Sequence, residues 1–311
     1  MPISVKDETG YKLVYQVWHK VSGTWVEVPL IHYKIGGAWK RVHEKITPFI
    51  FNQTLSVNTY GYNLRESAIL AGWNTTDPLI ATVTVNVGVV VGAENYQNFG
   101  FSSGLSFPQA SKLTLINNGT IAGMGGQGAP SGIARQFTDA RDGFRGGTAI
   151  FLNLPTVLIN NGSILAAGGG GGGGGTLATQ DFTSWWRGAS GGGGRGANTS
   201  LPGVLDDLNA GFGFNPDGLA DDFAGSGGTL TTSGVGCSES GFGSESGFDY
   251  GGSGGVGGAI ASAGADGILG NSSGELRRYY AFGKGGAAGK AIVGKSFITY
   301  EVTGTITGVQ E

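Results

Sequence analysis

Residues 166–196 read AAGGGGGGGGTLATQDFTSWWRGASGGGGRG, with eight consecutive glycines from Gly168 to Gly175. The reading of this stretch decides the fold. Glycine loses more conformational freedom on folding than any other residue, and a tract of it brings no side chains to a core. Its default reading is therefore a flexible linker. The neighbouring sequence argues otherwise. Phe182, Trp185, Trp186 and Arg187 follow directly, the glycines resume at Gly191, and the alternation continues to Gly289.

Composition supports an ordered chain. Of 311 residues, 63 are glycine, only 13% are charged and 10% are aromatic. Disordered chains are typically charged and poor in aromatics, so this one is expected to fold. The net charge of −3 leaves no basic footprint for nucleic acid. No apolar run reaches membrane-spanning length. MPISVKDETGYKL has no apolar signal core, which fits synthesis in a reducing cytoplasm. Cys237 is the only cysteine, which excludes an internal disulfide.

Residues 1–46 hold a repeat of period 14. VWHKVSGTWVEV (17–28) aligns with IHYKIGGAWKRV (31–42), and Trp25 and Trp39 occupy the same place. Each copy alternates, turns at Ser22-Gly23 or Gly36-Gly37, and alternates again, the pattern of a β-hairpin. So small a unit buries little core alone. It is expected to fasten to a partner through Trp18, Trp25, Tyr33 and Trp39.

Residues 47–117 read as a β-rich connecting domain with one short helix. NLRESAILAGW (63–73) carries the helix signals: Asn63 as N-cap, Glu66 completing a capping box, and Gly72 as stop. Three strands, LIATVTVNVGVVVG (79–92), KLTLINNGTIAG (112–123) and TVLINNGSILAA (156–167), share Asn-x-Gly-x-(Val/Ile). The pattern equates Asn86 with Asn117 and Asn160, and Gly88 with Gly119 and Gly162. A weaker copy, EVTGTITG (301–308), closes the chain with Gly304 and Ile306 in place. Such a repeat implies stacked strands with Asn-Gly turns. The final copy anchors the far side of the glycine-rich region, a return that a dangling linker does not need.

Residues 118–311 read as a glycine-rich domain with that closing strand. Glycine can adopt the polyproline-II helix, which has three residues per turn and no internal hydrogen bonds. Buried backbone groups must be paired, and side-chain-free helices can approach closely enough to pair with one another. The expected fold is thus mainly β and irregular: a hairpin module, a β-repeat with one helix, and a sandwich of polyglycine-II helices. The glycine-poor segments become its apical loops.

These loops carry the functional signal. Phe182, Trp185, Trp186 and Arg187 are followed by Phe212 and Phe214, then Phe242, Phe248 and Tyr250, then Arg277, Arg278, Tyr279, Tyr280 and Phe282. Aromatics and arginine among glycine and serine suit recognition, since they offer large contact area at low entropic cost. Packing against the glycine block is the competing role, and some of them fill it.

Catalysis is not expected. Every histidine (His19, His32, His43) precedes residue 44, so no Ser/His/Asp set can be drawn, and no acidic or cysteine cluster accompanies them to hold a metal. Asp206-Asp207 and Asp221-Asp222 read as solvated loop charge. GKAIVGKS (289–296) matches the phosphate-loop string, but the β-branched SFITYEVTGTITG follows where that motif needs a helix. No cofactor is implied.

The strings NLRESAILAGW…VTVNVGVVVG, LTLINNGTIAGMGGQG, GGTAIFLN and INNGSILAAGGGGGGGG resemble the glycine-rich distal tail-fibre adhesins of T-even-like bacteriophages over about residues 55–300. IGGAWKRV also looks like short modules of phage tail proteins. The resemblance implies a virion protein at the distal end of the tail or tail fibre, made in the host cytoplasm. Its N-terminal part would fasten to other tail or fibre proteins. Its loops, by position 176–187, 198–224, 229–250 and 271–282, would bind an outer-membrane protein or surface glycan. A structural spacer without receptor contact is the rival reading, and a glycan-cleaving enzyme a third, disfavoured by the lack of a converging acid pair.

Overall fold

The structure is a computed structural model. It describes residues 3–7, 10–14, 18–28, 30–35, 38–44, 47–95, 97–129, 142–175, 177–179, 185–186, 191–197, 228–236, 253–269, 277–279 and 281–311. For 3–19, 30–44, 177–179, 185–186 and 277–279 the description is of the backbone alone.

Three antiparallel hairpins occupy the N-terminal region: β1 (Ile3–Asp7) with β2 (Gly10–Val14), β3 (Trp18–Val21) with β4 (Thr24–Glu27), and β5 (Leu30–Ile35) with β6 (Ala38–Glu44). The repeat predicts the second and third. Lys20 pairs with Trp25 and Lys34 with Trp39, the same register 14 residues on. Ser22 (φ 49°) and Gly23 (φ 88°) are both left-handed, as a two-residue hairpin turn matching strand twist requires. The first hairpin lies outside the repeat and was not read from it.

From residue 49 the chain winds into a solenoid of five coils with three faces. The first coil is β7 (Phe49–Leu55), β8 (Thr59–Tyr60) and β9 (Tyr62–Asn63), followed by helix α1 (Leu64–Leu70). The second is β10 (Leu79–Val85), β11 (Val90–Gly92) and β12 (Phe99–Ser102), and the third β13 (Lys112–Asn117), β14 (Thr120–Ala122) and β15 (Thr148–Phe151). β16 (Thr156–Asn160) and β17 (Ser163–Leu165) begin the fourth. Before that coil closes come three short strands, β18 (Leu177–Thr179), β19 (Trp185–Trp186) and β20 (Arg277–Tyr279). β21 (Lys290–Val293) then completes it. β22 (Ile298–Val302), β23 (Thr305–Thr307) and β24 (Val309–Gln310) form the fifth. Each face is a five-stranded parallel sheet: β22-β16-β13-β10-β7, β23-β17-β14-β11-β8 and β24-β21-β15-β12-β9.

Alternation along each strand sets its buried face. In β10 Leu79, Ala81, Val83 and Val85 are buried while the residues between them are half-buried. Parallel register stacks like on like: Val83 faces Leu115, which faces Leu158, and Ile121 faces Ile164, which faces Ile306. Such buried leucine, isoleucine and valine side chains, each worth roughly 1.5–3 kcal/mol on burial, make this the hydrophobic core of the described residues.

The predicted helix matches in detail. Asn63 Oδ1 accepts from the amides of Arg65 and Glu66, Asn63 Nδ2 donates to Glu66 Oε1, and Gly72 stands at φ 101° beyond the C-cap. The Asn-Gly equivalence needs one correction. Register aligns Leu55, Val85, Asn117 and Asn160, so Val85 rather than Asn86 holds the asparagine position of the second coil. Val90 pairs with Thr120, which leaves four corner residues (86–89) where the third coil has two (118–119). Asn86 and Gly88 belong to a longer corner that mimics the motif. The other copies hold: Thr120, Ser163 and Thr305 are aligned, which stacks Gly119, Gly162 and Gly304. A Cβ on Gly162 would fall on the Gly119 carbonyl, and one on Gly304 on the Asn160 carbonyl.

The glycine-rich sequence enters at one corner, between the second and third faces. Residues 123–147 separate β14 from β15, and residues 166–289 separate β17 from β21. The described parts form eight runs: 123–129, 142–147, 166–175, 191–197, 228–236 (which opens with a turn at 229–232), 253–260, 261–269 and 281–289. The third run, with the glycine octet, lies at their centre. Its amides alternate with period three: Gly168 and Gly171 donate to the fourth run (Arg195, Gly192), Gly169 and Gly172 to the seventh (Ser262, Ala265), and Gly170 to the second (Phe144). Its carbonyls do likewise. Gly168 and Gly171 accept from the first run, Gly169 and Gly172 from the sixth, Gly170 and Gly173 from the eighth. Six runs therefore surround the octet, and every third residue meets the same neighbour. Side chains have no room inside. A Cβ on Gly171 would land on the Gly255 carbonyl, and one on Gly168 on that of Gly258.

Candidate functional site

Hydrogen-bond partners give each run a direction. Gly126 bonds to Gly168 and Ala129 to Gly171, so the first and third run together, whereas Gly286 bonds to Gly170 and Gly283 to Gly173, so the eighth returns. The odd-numbered runs lead away from the solenoid and the even-numbered runs come back. Segments 130–141, 176–190, 237–252 and 270–280 thus connect runs at the outer end of the block. Segment 198–227 differs. Ala197 donates to the Gly123 carbonyl, where the first run leaves β14, and Gly196 donates to Thr229. Both of its anchors lie at the solenoid end.

Two outer segments are joined by backbone. β18 pairs antiparallel with β19 on one side and with β20 on the other. Leu177 stands opposite both Trp186 and Tyr279, Ala178 opposite both Trp185 and Arg278, and Thr179 opposite Arg277. Laterally paired residues share a face of a sheet and successive residues alternate. Trp186, Leu177, Tyr279 and Arg277 therefore belong to one face, and Trp185, Ala178 and Arg278 to the other. Trp185 and Arg278, 93 positions apart, are brought into line here, each opposite Ala178. Phe182, Arg187, Phe212, Phe214, Phe242, Phe248, Tyr250 and Tyr280 lie outside the described residues. Of residues 229–236, expected in a loop, 229–232 form a turn in which the Thr229 amide donates to the Thr232 carbonyl, while Gly234 bonds to Gly193 within the fifth run.

In the N-terminal module Trp25 is 63% exposed, with Lys20 Nζ 6.0 Å from its ring centroid. Val21 and Val26 are also exposed. Trp18 pairs in backbone register with Glu27 and Tyr33 with Lys40. Among the described residues no group of three or more His, Cys, Asp or Glu can hold a metal, and no helix is long and apolar enough to cross a membrane. The phosphate-loop string forms β21, a left-handed Gly294 (φ 92°) and a three-residue 3-10 turn, and the amides of Gly294 and Lys295 both donate to the Glu311 carbonyl. Its donors are already taken by the chain itself.

Two features escaped the sequence reading. Asp142 Oδ1 accepts from the Lys284 amide at 2.7 Å and Asp266 Oδ1 from the Gly285 amide at 2.8 Å, so side-chain acceptors cap the eighth run near its outer end. An open cleft of about 710 Å³ lies beside α1, lined by Asn63, Arg65, Phe99, Leu105 and Phe151 among others. Neither had a motif to reveal it, since each depends on how distant segments meet.

The model of one protein family, "GP38: Phage tail fibre adhesin Gp38", matches residues 50–310. No curated relative matches the chain. A solved structure, the gp37-gp38 adhesin tip complex of the bacteriophage S16 long tail fiber, aligns at 23% identity and a TM-score of 0.44, covering 84% of this chain and 82% of that one.

Proposed function

The chain belongs to the phage tail fibre adhesin Gp38 family, and from that premise we propose that it recognises a bacterial surface receptor through loops at the outer end of its glycine block. The family is one of host-attachment proteins, not of enzymes. The observation that carries the proposal is the β19-β18-β20 sheet, which unites two aromatic- and arginine-bearing segments at the end of the block remote from the solenoid. A spacer has no use for tryptophan, tyrosine and arginine gathered there, while a contact surface draws on those residue types.

The block itself is proposed to be a polyglycine-II sandwich. Support comes from the three-residue bonding period of the octet and from its six neighbours, which fit a helix of three residues per turn. Ordering each residue costs about 1–2 kcal/mol, and dense pairing of amides with carbonyls offsets that cost. The outcome is a rigid mount for the loops.

The receptor is proposed to be an outer-membrane protein or a surface glycan, contacted by Trp185, Trp186, Arg277 and Tyr279 with the flanking Phe182, Arg187, Phe242, Phe248, Tyr250 and Tyr280. Residues 1–46, outside the family match, are proposed to fasten the adhesin to other tail or fibre proteins, with exposed Trp25 as a contact. This places the chain at the distal tip of the fibre. Purified chain incubated with host-range bacteria tests the reading. Saturable binding that protease treatment of the cells abolishes identifies a protein receptor, binding that survives identifies a glycan, and no binding by folded chain favours the spacer.

A further inference from the structure

Among the described residues, glycine follows an asparagine or aspartate at four places where the fold admits no side chain. A Cβ on Gly119 would fall on the Val89 carbonyl, one on Gly162 on that of Gly119, one on Gly143 on that of Gly170, and one on Gly267 on that of Gly173. The residues before them are Asn118, Asn161, Asp142 and Asp266. Such pairs are chemically labile. With no side chain to hinder it, the glycine amide nitrogen can attack the preceding Cγ and close a succinimide. Asparagine is the thermolabile member, and Asn118-Gly119 and Asn161-Gly162 are the only Asn-Gly pairs in the chain. Asn161 is exposed and Asn118 half-buried, so water reaches this corner of the solenoid.

Hydrogen bonds hold both reacting groups. The Gly162 amide donates to the Asn117 carbonyl at 2.9 Å, and Asn161 Nδ2 donates to Asn118 Oδ1 at 2.9 Å across adjacent coils. The Gly119 amide donates to Asn117 Oδ1 at 3.2 Å, so Asn118 is held by the same bridge. The two aspartates repeat the arrangement. The Gly143 and Gly267 amides donate to the Lys284 and Gly283 carbonyls, while Asp142 and Asp266 accept from the Lys284 and Gly285 amides. We propose that Asn161-Gly162 is a latent site of spontaneous modification and that the Asn118–Asn161 bridge is its lock. When the bridge opens, the Gly162 nitrogen loses its proton to hydroxide and bonds to Asn161 Cγ. The Cγ–Nδ2 bond breaks, and the nitrogen takes a proton from water and leaves as ammonia. Water then opens the ring to an aspartate or its β-linked isomer. Either product unstacks the corner. A carboxylate has no proton for Asn118 Oδ1, and the β-linked form lengthens the backbone where Gly162 already lacks room for a Cβ. The lock lies in the solenoid and does not depend on what the outer loops bind.

Peptide mapping by mass spectrometry, after the full chain is held at mildly alkaline pH, tests the lock. Deamidation at Asn161 is expected to run at least about tenfold more slowly than in a free peptide of residues 157–166, because it waits on local opening. Asn118→Ala removes the acceptor but keeps the Gly162 bond to Asn117, and should speed Asn161 at least about threefold. Asn161→Ala should speed Asn118 likewise. Isomerisation at Asp142 and Asp266, in the glycine block, should be unchanged in both variants, which separates a lost lock from a general loss of stability. Free-peptide rates in the wild type overturn the proposal. So do variant rates equal to wild type, or acceleration at the two aspartates equal to that at the asparagines.

Discussion

Asn117 donates its Nδ2 proton to Asn160 Oδ1 at 2.7 Å across two adjacent coils, and Asn160 in turn donates to the Thr303 carbonyl at 2.7 Å. Both side chains are fully buried, so the ladder satisfies polar groups that water cannot reach. Asn160→Ala removes the acceptor of one bond and the donor of the next, and is expected to cost about 2–3 kcal/mol in urea denaturation. Val85 fills the same position one coil earlier, so an apolar ladder residue is sterically allowed. Asn117→Val combined with Asn160→Val should accordingly cost less than the two single changes added together.

The glycine octet carries a sharper expectation. Gly171→Val places atoms on the Gly255 carbonyl at the centre of the block, and is expected to destroy the block's cooperative melting. Lys284→Ala, at an exposed position of the eighth run, should shift Tm by no more than about 1–2 °C, as surface changes do. Equal tolerance of both variants by calorimetry would contradict close packing around the octet.

Trp185 and Trp186 are adjacent in sequence but fall on opposite faces of the outer sheet. Only one is therefore expected to face the receptor. One single substitution to alanine should reduce adsorption at least tenfold without changing Tm, while the other lowers Tm. Tyr279 shares a face with Trp186, so a double-mutant cycle between these two should show coupling of about 0.5 kcal/mol or more. Trp185 with Tyr279 should be nearly additive.

Burial raises the Tyr62 hydroxyl well above the ordinary tyrosine value of 10.0, against a smaller lowering by the Ser67 side chain, and the proton it donates to Gln53 Oε1 at 2.7 Å also favours the neutral form. Burial raises Tyr300 as well. The folded state holds these protons more tightly than the unfolded chain, so their contribution is complete below pH 10 and falls as the pH rises through the folded-state values. Thermal melts should show a loss of Tm above pH 10. Tyr62→Phe should be less stable at neutral pH but show a shallower alkaline decline.

Much of this architecture was legible because it repeats. Alternating apolar residues fix the solenoid strands, and Asn63, Glu66 and Gly72 delimit the helix by local chemistry. The corner at 86–89 misled because its Asn-x-Gly matches a motif whose meaning depends on register, which a strand gains only from its neighbour. The glycine runs announce close approach but not which run meets which. Their order emerges from the pairing of Gly168 with Gly126 and of Gly169 with Ser262, contacts between segments that carry no side-chain signature. The meeting of Leu177 with Tyr279, and the location of the anchors of 198–227, follow from that same order. So the aromatic segments were legible as candidates, while their grouping was not.

The most direct test of recognition by the outer loops replaces residues 176–190 and 270–280 together with glycine-serine segments of equal length. Adsorption of the purified chain to host-range bacteria is then measured alongside its melting curve. The proposed function requires that binding be lost while the melt of the solenoid and glycine block persists. Full binding by the doubly replaced chain would contradict it, and would leave the glycine block as a spacer for another receptor-binding protein.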